Sequence, residues 1–144
     1  MRTALRRGAG GTGLQGRGGI AGEAIPLDSE DPNYNDYLEQ VRRRIKEKWG
    51  YPCVGTPRNC EYKTASLDVQ FGILKDGRVQ FVDVVRKSPY EVYDDYAATA
   101  IKLASPFPPV PAVMMKGMAP GSTGIHISAR FMYVVESSFT NLLR

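Results

Sequence analysis

Residues 67–87 constrain what this chain can fold into more than any other stretch. They read Leu-Asp-Val-Gln-Phe-Gly-Ile-Leu-Lys-Asp-Gly-Arg-Val-Gln-Phe-Val-Asp-Val-Val-Arg-Lys. Two runs rich in β-branched and aromatic residues flank Asp76-Gly77, and Asp-Gly between such runs signals a hairpin with a type I′ turn. A two-residue turn sets Leu74 against Val79, Phe71 against Val82 and Val69 against Val84. Gly72 then faces Phe81, whose ring covers the gap left by the glycine. In this register Leu67, Val69, Phe71 and Ile73 share one apolar face with Val82 and Val84. Two strands thus agree on one register. A lone hairpin is marginal in water, so the rest of the chain is expected to cover it.

The flanking segments supply that cover. Tyr34, Leu38, Val41, Ile45 and Trp49 recur at three- and four-residue steps, the stripe of an amphipathic helix. Polar residues from Asp28 to Asn33 offer N-caps, and Gly50 and Pro52 stop the helix. Ser88-Pro89-Tyr90-Glu91 reads as a capping box with proline in the first turn. The second helix it opens has Tyr93, Tyr96, Ala97, Ala100, Ile101 and Ala104 as its apolar stripe. The proline-rich run Ser105 to Pro111 ends it and pins Phe107 on the core. After a loop bearing Met114, Met115 and Met118, residues 124–137 alternate. Ile125, Ile127, Ala129, Phe131, Tyr133 and Val135 point one way; His126, Ser128, Arg130 and Met132 point the other. The expected fold is α+β, in the order helix, β-hairpin, helix, strand (αββαβ), with a three-stranded antiparallel sheet packed by helices. Residues 1–30 read as a flexible Gly-rich linker, 31–137 as the domain and 138–144 as a tail.

The chain has 144 residues, a net charge of +4 and a pI near 9.1. The basic residues cluster at Arg2, Arg6 and Arg7 and from Arg42 to Lys48. A solvated helix face and a basic tail explain them without nucleic acid. Gly8 to Gly13 formally matches the dinucleotide fingerprint G-x-G-x-x-G. No strand precedes it and more glycines follow, so it reads as linker. No apolar run is long enough to span a bilayer, and the first twenty residues hold no secretory apolar segment. An export segment, if the domain works outside the cytoplasm, is expected upstream of Met1.

Cys53 and Cys60 stand at C-x6-C spacing around Gly55 and Pro57. With no second pair and no nearby histidine, this is neither a zinc site nor a C-x-x-C redox motif. The spacing favours a disulfide closing a small loop over two free thiols, and a disulfide implies an oxidising compartment. No P-loop, nucleophile elbow or His-x-x-x-His pair is present, and His126 reads as a residue of the polar sheet face. The reading is a binding module: not an enzyme, with no cofactor and no metal. The candidate site is the edge of the last strand, Ile125, His126, Ile127, Ser128, Ala129, Arg130, Phe131, Met132 and Tyr133. An open edge offers unpaired N–H and C=O groups to an added strand, at about 1 kcal/mol net for each new bond. The apolar group Leu74, Val79 and Phe81 suits a homodimer or cover by the first helix.

Several segments together resemble the C-terminal domain of TonB-family energy transducers. They are Tyr37-Leu38 through Ile45 to Trp49-x-Tyr51-Pro52, Val69-x-Phe71-x-Ile73-x-x-Asp76-Gly77-x-Val79, Ser88, Asp94-x-x-Ala97, Ser105-Pro106-Phe107-Pro108-Pro109 and Ile127-x-Ala129-x-Phe131. The resemblance covers about residues 33–137. It implies a periplasmic domain behind an inner-membrane anchor and a flexible spacer, with residues 1–30 as the end of that spacer. It implies that the edge of the last strand takes an extended segment of an outer-membrane transporter, coupling the inner-membrane motor complex and its proton motive force to transport. TolA-like domains share the architecture, so an envelope-organisation, motility or secretion module is the alternative; a basic nucleic-acid-binding domain ranks below it. The sequence departs from the family in a longer loop after Pro52, which carries both cysteines, and in Pro89 where a glycine is usual.

Overall fold

A computed structural model describes residues 17–135 and 141–144. The central sheet is built from β4 (Ala65–Leu74), β5 (Val79–Arg86) and β6 (Gly124–Tyr133), with β4 in the middle. Two short pieces extend it: β1 (Ile25–Pro26) and β7 (Asn141–Leu143), both on the outer side of β6. A separate two-stranded ribbon, β2 (Val54–Thr56) and β3 (Asn59–Glu61), stands off the sheet. The helices are α1 (Asn35–Lys48), α2 (Glu91–Ala104) and the short α3 (Ala112–Lys116).

The hairpin register is as read at Val69–Val84, Phe71–Val82 and Gly72–Phe81. Its turn is different. Val79 pairs with Ile73, not Leu74, across an irregularity beside Gly72. Gly77 N–H donates to Leu74 O and Leu74 N–H to Arg78 O, both at 2.8 Å, and Gly77 sits at φ +100°. This is the bonding of a three-residue loop with glycine in the left-handed position. The proline-rich connector makes glycine obligatory there. Phe107 N–H donates to Gly77 O at 2.8 Å, and a Cβ on Gly77 would run into the Phe107 carbonyl.

Leu67, Val69, Phe71 and Ile73 of β4 are fully buried, as are Val41 and Ile45 of α1 and Tyr93, Ala97, Ala100 and Ile101 of α2. With Ile125, Ile127, Phe131 and Tyr133 they form one core. Tyr96, expected in the α2 stripe, is exposed instead. The α2 start departs from the expected capping box: Tyr90 is the N-cap, without a side-chain cap bond, and Ser88 lies two residues before it. Tyr90 N–H donates to Ser88 Oγ at 3.1 Å, and Ser88 N–H to Asp94 Oδ1 at 2.9 Å, so Ser88 and Asp94, not Glu91, fix the approach to the helix. Phe107 is buried as expected, and Met114 and Met118 fill the core.

The expected boundaries need correction at both ends. Residues from Arg17 to Leu27 are packed on the sheet and are no linker. Ile20 and Leu27 are buried at 2% and 1% exposure. Thr123 Oγ1 donates to Gly18 O at 2.7 Å, and Ala21 N–H donates to Ser122 Oγ at 2.9 Å. Residues 141–143, expected in a tail, form β7. The glycine fingerprint at Gly8 to Gly13 lies outside the described residues, as do residues 136–140.

Candidate functional site

The last strand alternates as its sequence demands. Ile125, Ile127, Ala129, Phe131 and Tyr133 are buried; Arg130 is exposed, and Ser128 and Met132 are half-buried. Tyr133 is the anchor. It stacks on Tyr93 with centroids 4.1 Å apart, accepts from Trp49 Nε1 at 2.8 Å and donates to Tyr93 O at 2.9 Å. Burial pushes its hydroxyl pKa far up, so it remains a donor.

His126 departs from expectation. It is 6% exposed, because Arg17 to Gly22 lie across this half of the sheet. Its Nδ1 is 3.2 Å from Gly22 O and its Nε2 is 3.0 Å from Gln70 Oε1. Burial pushes its pKa down; the Gly22 carbonyl opposes this, and Arg17 adds to it. The same segment completes the cover of Gly72. A Cβ there would collide with both Phe81 and Ile20. The Arg17 guanidinium carbon lies 4.8 Å over the Phe81 ring. The apolar group Leu74, Val79 and Phe81 is therefore not one open patch. Phe81 lies under Arg17, and Val79 packs on the core.

The second departure concerns the edge itself. The outer side of β6 was expected to be open along Ile125 to Tyr133, and in this protomer it is occupied. β1 runs parallel to it, with Ile25 opposite Ile127 and Pro26 opposite Ser128, and Leu27 N–H donates to Ser128 O at 2.8 Å. β7 runs antiparallel, with Phe131 opposite Leu143 and Met132 opposite Leu142. Arg130 N–H donates to Arg144 O at 2.6 Å and Arg144 N–H to Arg130 O at 2.9 Å. The physical reason is the edge rule: a regular strand with unpaired polar backbone recruits whatever chain lies near it. Both occupants are short, two residues and three. Beside them, on the solvent face, lies a shallow groove of about 500 Å3 whose rim includes Asp28, Asp68, Ser128, Arg130, Met132 and Arg144.

Two further candidates are placed by the structure. Cys53 and Cys60 are bonded, with Cα atoms 5.4 Å apart, across the base of the β2–β3 ribbon. On α1, Arg43, Arg44, Lys46 and Lys48 are exposed, and Arg42 pairs with Glu39 at 2.7 Å. Among the described residues no group of three or more His, Cys, Asp or Glu side chains is placed to hold a metal. No helix among them is long and apolar enough to cross a membrane.

The family described as "TonB C terminal" matches residues 34–121, more than half of the chain. The chain belongs to the TonB C-terminal family. Among solved structures, this TonB-family domain is similar to the solution NMR structure of TolAIII bound to a peptide derived from the N-terminus of TolB. The TM-score is 0.52 at 16% identity, over 76% of this chain and 82% of that one. At that identity the likeness speaks for the fold. No curated protein matches the sequence. The TonB family match ends at residue 121, before β6, so the strand that carries the candidate edge rests on the fold and not on the family match.

Proposed function

We propose that this domain is the periplasmic end of an envelope energy transducer. It takes an extended segment of an outer-membrane transporter as an added strand on β6, in the place β7 now fills. Through an inner-membrane anchor and motor complex it couples proton motive force to transport. The observation that carries this reading is the unequal pairing of β6. Its inner side pairs with β4 without a break over ten residues, while among the described residues its outer side holds two short segments. A partner of six or seven residues along Ile127 to Tyr133 displaces both β1 and β7, and an unbroken ladder gains more bonds than those two short segments together lose, each worth about 1 kcal/mol net. The Cys53–Cys60 bond suits an oxidising compartment and so supports a periplasmic site.

Chemical-shift mapping with an extended transporter-derived peptide tests this. The expected outcome is shifts along Ile127 to Tyr133 and loss of the Arg130–Arg144 pairing. Shifts confined to α1 would sink it. A TolA-like role is the second reading, because the similar TolAIII structure carries a TolB peptide. Pull-down from cell envelopes separates the two: recovery of a TolB-type or Pal-type partner without a transporter favours the second.

A further inference from the structure

A row of four residues runs across the solvent face of the sheet, each directly opposite the next. Arg86 of β5 faces Asp68 of β4, Asp68 faces Arg130 of β6, and Arg130 pairs with Arg144 next to β7. The first two steps are ion pairs. Arg86 Nε is 2.6 Å and Arg130 Nε 2.8 Å from the Asp68 carboxylate. The two arginines hold that carboxyl below the ordinary range, Arg86 more strongly than Arg130. The side-chain signs thus run plus, minus, plus and then plus again. Like charges directly opposite one another destabilise an antiparallel pair. Among the described residues no carboxylate pairs with the Arg144 side chain. On the other face of β7, Leu143 lies opposite Phe131 at 5% exposure and joins the core. β7 is therefore a good occupant at one position and a poor one at the next.

We infer, on the reading of β6 as the partner's edge, that the preferred segment lies antiparallel to β6 and carries two apolar residues followed by a carboxylate. The second apolar residue takes the place of Leu143 in the core. The carboxylate takes the place of Arg144 and restores the alternation of charge across four strands. Asp28, at the rim of the same groove, is the acid that works against this preference.

The experiment uses the whole chain and two labelled ten-residue peptides, otherwise identical and uncharged, with Leu-Leu-Glu or Leu-Leu-Lys at the centre. At low salt the Glu peptide is expected to bind roughly three- to tenfold tighter, from the span of cross-strand charge pairs. The ratio shrinks with added salt. It widens in Asp28→Asn, falls to one or below in Arg130→Gln and inverts further in Arg130→Glu. The glutamine variant keeps the test valid where the glutamate, placed beside Asp68, unfolds the sheet. Equal affinity for the two peptides, with both displacing β7, overturns the charge preference and leaves the edge reading standing. If neither peptide perturbs the amides of residues 127–133, the edge reading falls and the inference with it.

Discussion

The sheet has two margins, and they are closed in opposite ways. β5 is irregular. Its pairing with β4 shifts at both ends, Asp83, Arg86 and Lys87 line it, and Ser105 Oγ takes the first amide, Val79 N–H, at 3.1 Å. Such bulges and charges keep a strange strand off permanently. β6 is regular, its inward residues are apolar, and among the described residues its outer side is closed by the short β1 and β7. A margin blunted by its own geometry cannot be reopened. A margin closed by a short neighbour can be, and reversible capture of a strand needs the second kind.

Substitutions can break that contrast or sharpen it. The largest effect is expected from Tyr133→Ala, which removes the stack on Tyr93 and strands the Trp49 indole N–H. It should cost about 3–5 kcal/mol in urea unfolding and erase both margins together. A loss confined to β6 would mean the margins do not share a core. Leu143→Asp should sharpen the contrast. It forfeits the burial of one leucine, about 1.5–3 kcal/mol, and only locally. Hydrogen exchange at Arg130 should rise while β5 amides stay protected, and peptide affinity should increase. Gly77→Ala acts on the other margin. Strain at positive φ and the collision with Phe107 should cost about 1–3 kcal/mol, read as faster exchange near Val79 with Arg130 unchanged.

Acidification separates the margins by smaller amounts. The lowered His126 pKa means its neutral form stabilises the fold above the ordinary imidazole value, about 6.5. That contribution is lost as pH falls through the folded value. Protection at Ala21 and Thr123 should weaken first, and His126→Gln should abolish the pH dependence. Asp68, also lowered, contributes above the ordinary carboxylate range and loses its contribution as pH falls through its own folded value. Asp68 is partly screened by water, so Asp68→Asn should cost under about 1 kcal/mol.

Much of this was legible in the sequence, and what was not has a common cause. The helices, the hairpin pairs and the alternation of β6 are periodic over many residues, and the structure has them. The disulfide followed from spacing and the absence of other ligands. β1 and β7 are two and three residues long, and the 17–27 segment is anchored through single side chains, too little for a period. Ile20, Ile25 and Leu27 are the large apolar residues of that segment, and each is a single side chain. Gly72 pointed at the missing cover, but a ring from β5 sufficed to explain it. The burial of His126 followed from that same omission, as did the open margin on β6. The turn at Gly77 departs from the two-residue form because its glycine answers to Phe107, which lies thirty residues away in sequence.

The arm from Arg17 to Leu27 has a mechanical consequence. Its hydrogen bonds to Ser122, Thr123 and His126 and the pairing of β1 are to β6 or to the two residues before it, while Arg17 lies over Phe81 of β5. Tension applied at Arg17 would be delivered to the sheet, chiefly to β6, before it reached either long helix. Cargo gripped on that same strand would sit one ribbon's width from the tether, so the load path between them need not run through the hydrophobic interior.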